Sequence, residues 1–121
     1  MAKLSPPETL KRRAEFLALA ARGKKLAKRG FVLQWREADG AAGLAELQAP
    51  PLRVGFTATK KLGNAVARNR ARRRLREAVR LTCAGRDLRG LELVLICRQE
   101  TAAMQFTELC AGLAAALPVL P

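Results

Sequence analysis

The stretch over residues 60–80 constrains this chain more than any other part of the sequence. Nine of its twenty-one residues are lysine or arginine, and Glu77 is the single acid. Leu62-Gly63-Asn64 predicts a turn, in which Asn64 caps a following helix by accepting a bond from an orphan backbone N–H. At 3.6 residues per turn, five residues fall on one narrow stripe: Ala71, Leu75, Ala78, Val79 and Thr82. The stretch therefore predicts a helix with a core-facing seam and a broad cationic face.

One arginine lies almost in line with the apolar seam. Arg68 is seven residues before Leu75, and a charge cannot stay buried without a partner. We therefore expect the helix N-terminus to project past the core into a wet groove lined by Lys61, Arg68 and Asn69. The other arginines fan over the outward arc of the helix: Arg70, Arg72, Arg73, Arg74, Arg76 and Arg80.

The charge balance indicates a polyanionic partner. The 121 residues include 23 lysines and arginines against 10 acids, which gives a net charge of +13. A solvated face explains isolated charges but not such an excess on a chain this short, and self-repulsion favours an acidic partner. Nucleic acid is the first candidate and an anionic membrane the second. Half of the residues are apolar, which suffices for the core of one compact domain over residues 1–121.

The sequence predicts a cytoplasmic protein. Its first seven residues lack the apolar segment of a signal peptide, and no apolar run approaches the roughly 20 residues that span a bilayer. Cys83, Cys97 and Cys110 match no metal-binding spacing, and the chain has no histidine to complete a site. Each cysteine lies in an apolar segment, which is typical of a buried reduced thiol.

Periodicity predicts three helices and four strands. We expect a helix over residues 7–22, strands over 24–29, 31–36 and 53–59, the basic helix, a central strand over 91–97, and a last helix that follows Glu100-Thr101 and ends at about Leu117. The core stripe of the first helix is predicted to be Leu10, Ala14, Leu17 and Ala21, with Phe16 off that stripe. Residues 38–51 predict a loop.

Alternation gives the strand over residues 31–36 two different faces. Phe31, Leu33 and Trp35 share the face that we expect to pack on helices. The opposite face carries Val32 and Gln34, and it is mixed enough to border solvent or a ligand.

Enzyme motifs are absent from the sequence. Without histidine there is no catalytic triad and no imidazole acid or base. The acids are few and scattered, with no cluster that would hold two metal ions. The segment Lys60-Lys61-Leu62-Gly63-Asn64 is not a phosphate-binding loop, which requires a glycine-rich run ending in Gly-Lys-Ser/Thr. We predict no catalytic residue, no metal site and no bound cofactor.

Residues 54–77 closely resemble the signature of the protein subunit of bacterial ribonuclease P. The matching segment reads Val54-Gly55-Phe56-Thr57-Ala58-Thr59-Lys60-Lys61-Leu62-Gly63-Asn64-Ala65-Val66-x-Arg68-Asn69-Arg70-x-Arg72-Arg73-x-x-Arg76-Glu77. Upstream, Glu15-Phe16, Gly23 and the run from Gly30 to Leu33 also fit. The resemblance covers roughly residues 9–117 in order and spacing.

The resemblance implies both a fold and a function. The fold is an α/β two-layer sandwich of helix, three strands, helix, strand and helix, whose crossover is left-handed against the general rule. The holoenzyme removes the 5′ leader of precursor tRNA, and its catalyst is a large RNA that requires Mg²⁺. By this resemblance the protein is inactive alone, and it is a monomer in a 1:1 complex with that RNA.

The resemblance also assigns two sets of binding residues. Those expected to contact the catalytic RNA are Lys60, Arg68, Asn69, Arg70, Arg72, Arg73 and Arg76. Those expected in the cleft for the single-stranded leader are Arg12, Arg13, Phe16, Gln34, Thr57, Thr59 and Lys61. Ala20 and Gln34 occupy positions where relatives frequently carry an aromatic residue, which leaves Phe16 as the main stacking platform.

Three other functions are weighed against this one. A ribosomal protein fits the composition, but it does not require Phe16, Thr57 and Lys61 to converge beside the basic helix. A DNA-binding regulator would place the basic helix in a major groove, yet the sequence has no helix-turn-helix partner for it. A membrane-surface helix would carry Trp, Phe or Leu on its apolar side, where this helix has mostly alanine and valine.

Overall fold

The computed structural model of the chain describes residues 8–10, 13–37, 52–83 and 90–117. Its elements in chain order are β1 (Glu8–Thr9), α1 (Arg13–Arg22), β2 (Lys24–Ala27), β3 (Phe31–Glu37), β4 (Arg53–Thr57), a 3₁₀ helix (Lys60–Leu62), α2 (Ala65–Cys83), β5 (Leu91–Cys97), α3 (Glu100–Ala103) and α4 (Phe106–Ala116). The predicted loop over residues 38–51 lies outside the described residues.

The strands form one mixed sheet in the order β1-β4-β5-β3-β2. β5 lies at its centre, antiparallel to β3 and parallel to β4. Its near-continuous apolar sequence had predicted this position, because a strand covered on both faces has no solvent side. β2 is an edge strand, also as predicted, and its lysines discourage pairing with another chain. α2 lies in the connection between the parallel neighbours β4 and β5, and the left-handed sense of this crossover stays a prediction.

Helices cover both faces of the sheet. On one face Phe31, Leu33 and Trp35 of β3 form a buried core with Leu75 of α2 and Leu109 of α4. On the other face, α1 packs on the alternate residues of the central strand. That smaller core consists of Leu10, Leu19 and Val94, with Phe16 and Ile96 against it. The mixed α/β class is confirmed, and the predicted helix-facing side of β3 is correct.

The first helix begins later than predicted. Residues 7–22 were expected to be helical, but Glu8 and Thr9 pair in parallel with Arg53 and Val54 of β4. The Leu10 N–H then donates to the Val54 carbonyl at 2.9 Å. The outer edge of β4 has backbone groups that need partners, and this segment supplies them.

The core stripe predicted for the first helix is wrong at three of its four residues, and only Leu10, which lies before α1, is buried. Leu17 is 56% exposed, and Ala14 and Ala21 are exposed as well, whereas Leu19 is fully buried and Phe16 is partly buried. The helix is short and rich in alanine, so its own periodicity distinguishes two faces poorly. The face with Phe16 and Leu19 packs on the sheet because it buries the larger apolar side chains.

The predicted last helix is two helices, α3 and α4, separated by extended residues Met104 and Gln105. Thr101 fixes the first of them, since its buried hydroxyl donates to the Gly30 carbonyl at 2.6 Å and accepts from the Arg98 N–H at 2.8 Å. The predicted strand over 53–59 is likewise shorter, because β4 ends at Thr57.

A chain of ion pairs joins α1 to three strands. Glu92 of β5 is 4% exposed and accepts from Arg36 of β3 at 2.6 Å and from Arg53 of β4 at 3.3 Å. The same Arg53 nitrogen lies 2.7 Å from Glu15 of α1. Two acids and two arginines alternate, so each buried charge has an opposite neighbour, as buried ions require.

Glu92→Gln is expected to lower the free energy of unfolding by about 3 kcal/mol, because removing one member of a buried pair leaves the other uncompensated. Urea unfolding measures this change. Glu108→Gln is the matched control, since Glu108 is exposed and lies 3.9 Å from Arg29; an exposed pair of this kind contributes at most about 1 kcal/mol. Equal losses in the two variants would contradict a structural role for the buried cluster.

Candidate nucleic-acid interface

The start of α2 is set by local chemistry that the sequence predicts. Gly63 has a φ of +124°, which glycine adopts without steric cost. The Asn64 side-chain oxygen then accepts from the Ala67 N–H at 3.0 Å, and this confirms the predicted cap. Four of the five predicted seam residues are buried: Ala71, Leu75, Ala78 and Val79. Cys83 replaces Thr82 as the last buried position.

The arginines of α2 separate into two flanks, one on each side of the buried seam. Arg72 and Arg76 lie on the flank beside β4, where the Arg76 guanidinium is 5.7 Å from the centre of the Phe56 ring. Arg70, Arg73 and Arg74 lie on the other flank, beside the start of α4. The sequence analysis treated these arginines as one outward arc.

A groove runs between α1, β4 and the first flank of α2; we call it the α1–β4 groove. Its volume is about 490 Å³. Apolar atoms and cationic groups both face it, and its lining residues are Arg13, Phe16, Leu17, Phe56, Thr57, Ala58 and Arg72. Two aromatic rings, a hydroxyl and two guanidinium groups around one opening suit a single nucleic-acid strand, whose bases stack and whose phosphates pair with cations.

Phe16 lies directly over Gly55 of β4. A Cβ atom added to Gly55 would lie 2.6 Å from the Phe16 Cζ and 2.7 Å from its Cε1. The Phe16 ring therefore packs against the strand and also borders the groove. A role in packing and a role as a stacking surface are thus compatible for this side chain.

Two arginines of α2, Arg68 and the groove residue Arg72, each have a buried donor with no partner among the described residues. The Nε atoms of Arg68 and Arg72 are buried and form no hydrogen bond within the described residues. The two residues are four apart in α2 and so lie on the same face, one turn from each other. Unpaired buried donors are rare in proteins and mark positions where a ligand or water accepts.

The predicted leader-cleft residues do not all meet in the groove. Arg13, Phe16 and Thr57 line it, whereas Thr59 and Lys61 are exposed just beyond the end of β4. Gln34 is buried in the middle of β3, where 6% of the residue is exposed. Its contact with a leader stays a prediction. Arg12 lies outside the described residues.

Four of the groove residues are not among the predicted leader-cleft residues: Leu17, Phe56, Ala58 and Arg72. The sequence pattern predicts Leu17 in the core stripe and Arg72 in the outward arc. The available signal in the sequence was Leu17, an apolar residue adjacent to Phe16. Helical periodicity assigned it to the buried stripe instead. Among the residues assigned to the catalytic RNA, Lys60, Asn69, Arg70, Arg73 and Arg76 are exposed.

The single acid of α2 does not weaken this cationic surface. Arg80 donates to Glu77 one turn away at 3.0 Å, and this hydrogen bond lowers the pKa of the Glu77 carboxyl. Glu77 therefore stays ionised and paired with its neighbour. Arg80 is engaged in this ion pair. Arg70 and Arg73, in contrast, form no hydrogen bond or ion pair within the part of the chain that the structure describes.

Potential metal ligands do not cluster in the described ranges. No three His, Cys, Asp or Glu side chains come close enough there to hold a metal ion. Cys83 and Cys97 are buried and Cys110 is half-buried, and none of the three is in a disulfide. Burial raises the pKa of the Cys97 thiol to about 11, so this thiol stays protonated at neutral pH and is a poor nucleophile.

Comparison with known proteins places the chain in a family. The sequence model of the family described as Ribonuclease P matches residues 4–120. The ribonuclease P protein component of Gluconacetobacter diazotrophicus is 49% identical over 104 residues, which cover 86% of this chain and 83% of that relative. The chain belongs to the ribonuclease P protein family. The corresponding protein of Paramagnetospirillum magneticum is 48% identical over 110 residues, 91% of this chain and 80% of its own.

Solved structures of ribonuclease P proteins share the fold. The protein from Thermotoga maritima superposes with a TM-score of 0.72 at 25% identity, and the match covers 94% of this chain and 98% of that one. The Staphylococcus aureus protein gives a TM-score of 0.70 at 25% identity, with 92% and 93% covered. Among the described residues, no helix is both long enough and apolar enough to cross a membrane.

Gly55→Ala is expected to lower the free energy of unfolding by about 1–3 kcal/mol, because the added methyl group would overpack the contact with Phe16. Thermal unfolding checks the sign and the size. Gly112→Ala is the control of opposite sign: the nearest atom to its added Cβ is Phe31 Cε1 at 3.9 Å, and alanine stabilises a helix interior by about 0.5–1 kcal/mol. A stabilised Gly55→Ala protein would mean that Phe16 does not pack on β4.

Proposed function

We propose that this protein is the protein component of a ribonuclease P ribonucleoprotein in the bacterial cytoplasm. It assists a catalytic RNA in removing the 5′ leader of precursor tRNA. The observation that carries the proposal is the pairing of two surfaces on one helix. One flank of α2 borders a groove that suits a single strand, and the rest of the helix presents exposed cations that suit a folded RNA.

The α1–β4 groove is the proposed site of the leader. Phe16 offers a stacking surface, Thr57 a hydroxyl, and Arg13 and Arg72 two cations at the rim. These groups contact bases through their faces and phosphates through their charge, which tolerates many leader sequences. We therefore propose that Arg72 contacts the leader, in addition to the catalytic RNA to which the resemblance assigns it. Thr59, Lys61 and Arg68 extend the cationic path beyond the strand end, and Gln34 stays in the proposed set.

The exposed cations of α2 are the proposed docking surface for the catalytic RNA. They include Arg70, Arg73 and Arg76, and the proposed surface also includes Lys60 of the preceding 3₁₀ helix and the exposed Asn69 of α2. Neutralising phosphates releases counterions, and this supplies affinity without any base reading. A cationic protein between two polyanions lowers their mutual repulsion, so it raises substrate affinity without taking part in bond cleavage.

The chemistry is proposed to belong to the RNA and its Mg²⁺. The chain has no histidine, and within the described ranges no acidic cluster would hold a metal ion. The protein contributes binding energy and charge, which act on the affinity for precursor tRNA and on the Mg²⁺ requirement of the ribozyme.

Reconstitution tests the proposal. The protein, a bacterial ribonuclease P RNA and precursor tRNA are combined at low Mg²⁺, where we expect cleavage at the leader junction that neither component achieves alone. A protein stripped of RNA is expected to show no cleavage, because it has no group to activate water. Correct cleavage by the RNA-free protein, or no stimulation of the RNA, would contradict the proposal. A ribosomal-type structural protein would bind RNA without stimulating it.

Phe16→Ala is expected to weaken the binding of precursor tRNA by the assembled holoenzyme about 5- to 150-fold. This range corresponds to a stacking energy of about 1–3 kcal/mol per base. The affinity for mature tRNA is expected to stay unchanged, because that RNA has no leader. Equilibrium binding of both tRNAs measures the ratio.

Phe16→Leu controls for the packing role of the same side chain. Leucine keeps apolar contact with Gly55 but removes the aromatic face, so this variant should unfold near the wild-type temperature and still lose discrimination between the two tRNAs. A variant that loses thermal stability and keeps the wild-type preference for leader-bearing tRNA would show that Phe16 is core alone.

A further inference from the structure

The flank of α2 opposite the α1–β4 groove contains a second hollow, which we call the Phe106 hollow. It is lined by Arg70, Arg73, Arg74, Glu77 and Phe106, and its volume is about 580 Å³. This falls in the range of sites that hold small organic groups, about 300–1,000 Å³. Phe106, the one aromatic residue in the lining, is partly buried at the first position of α4.

Arg74 holds the wall of this hollow in place. Its Nε donates to the Thr101 carbonyl at 3.0 Å, and its Nη2 donates to the Met104 carbonyl. The guanidinium carbon lies 5.8 Å from the centre of the Phe106 ring. Since Thr101 lies in α3 and Met104 follows its last residue, Arg74 satisfies carbonyls at the break between α3 and α4. Arg74 is therefore a positioning residue for Phe106, and its Nε and Nη2 are already engaged.

Arg70 and Arg73 differ from Arg74 in this respect. Both are exposed, and neither forms a hydrogen bond or ion pair within residues 13–37, 52–83 and 90–117. Glu77 is paired with Arg80. The hollow thus combines a fixed aromatic ring and a fixed guanidinium plane with two free cations at its rim.

We propose that the Phe106 hollow binds one unstacked nucleotide of the catalytic RNA, with its base on the Phe106 ring and its flanking phosphates on Arg70 and Arg73. The proposal rests on the proposed function and adds a base-stacking contact to a surface assigned there to phosphates. RNA duplexes hide their base edges in a deep major groove, whereas loops and bulges present bases that stack on aromatic rings and arginine planes.

The position of the hollow selects the catalytic RNA over the leader. The α1–β4 groove lies on the other flank of α2, and an α-helix with its side chains is about 10–12 Å across. A leader seated on Phe16 would have to cross the helix to reach Phe106. Arg70 and Arg73, two of the exposed arginines proposed to dock the folded RNA, border the hollow directly, so a bulged nucleotide of that RNA needs no detour.

Phe106→Leu tests the base contact, since leucine keeps the apolar packing but has no ring face. The wild type and the variant are titrated with a bacterial ribonuclease P RNA over a series of salt concentrations. We expect an affinity loss of about 5- to 150-fold, the range for one stacked base, with an unchanged dependence on salt. Arg73→Gln should instead reduce the slope of log affinity against log salt by about 0.7–0.9, because it removes one phosphate contact.

Two further variants separate stacking from folding. Phe106→Trp restores a ring and should bind the RNA at least as tightly as the wild type, with a melting temperature close to that of Phe106→Leu. Phe16→Leu should leave affinity for the catalytic RNA unchanged while it removes leader discrimination, and Phe106→Leu should do the reverse.

The outcomes distinguish this inference from the proposed function. If the wild-type protein does not bind ribonuclease P RNA, the proposed function fails and the inference fails with it. If the wild type binds and Phe106→Leu binds equally well, the Phe106 hollow holds no base. Equal losses with leucine and tryptophan, accompanied by a lower melting temperature, would show that Phe106 is a packing residue and would also overturn the proposal.

Discussion

The position of α1 on the sheet depends on a cluster of four charged side chains in which acids and arginines alternate. Glu92 lies between Arg36 and Arg53, and Arg53 reaches on to Glu15 of the helix. Because an unpaired buried charge is costly, α1 cannot slide along β4 without separating Glu15 from Arg53. Phe16, the next residue of the helix, lies on Gly55, which shares a strand face with Arg53. The ion pair and the ring contact therefore fix the same two elements in one register, and the α1–β4 groove owes its shape to both.

Sequence reasoning predicted the parts of the fold that local chemistry decides. The cap at Asn64 and the buried seam of α2 follow from residues within a few turns of each other, and the run of β5 is apolar throughout. The face of α1 was predicted wrongly because its choice depends on Gly55, far along the chain, which alone allows the Phe16 ring to approach the strand. The break between α3 and α4 was missed for the same reason, since Arg74 and Gly30 stabilise it from other elements.

The candidate site shows the same division between local and long-range information. The helical period places Arg72 and Arg74 on different sides of the seam, but it does not show which elements of the fold lie beside each side. In the fold, Arg72 faces a groove with Thr57, whereas Arg74 binds the carbonyls of Thr101 and Met104. Two arginines of equal charge therefore have unequal roles, one with a buried Nε that has no described partner and one that organises the protein itself. Sequence alone cannot separate them, because their partners are distant in the chain.

The two flanks of α2 would also let one helix contact two RNAs. In the proposed complex a leader and a folded RNA would lie on opposite sides of a helix about 10–12 Å across. The screening length at physiological salt is about 8 Å, so salt already weakens the repulsion between phosphates at that separation. Arg72 and Arg76 on one flank and Arg70 and Arg73 on the other place cations between them. In that complex each flank would pair its own cations with one RNA, so neither RNA would need a movement of the fold to bind.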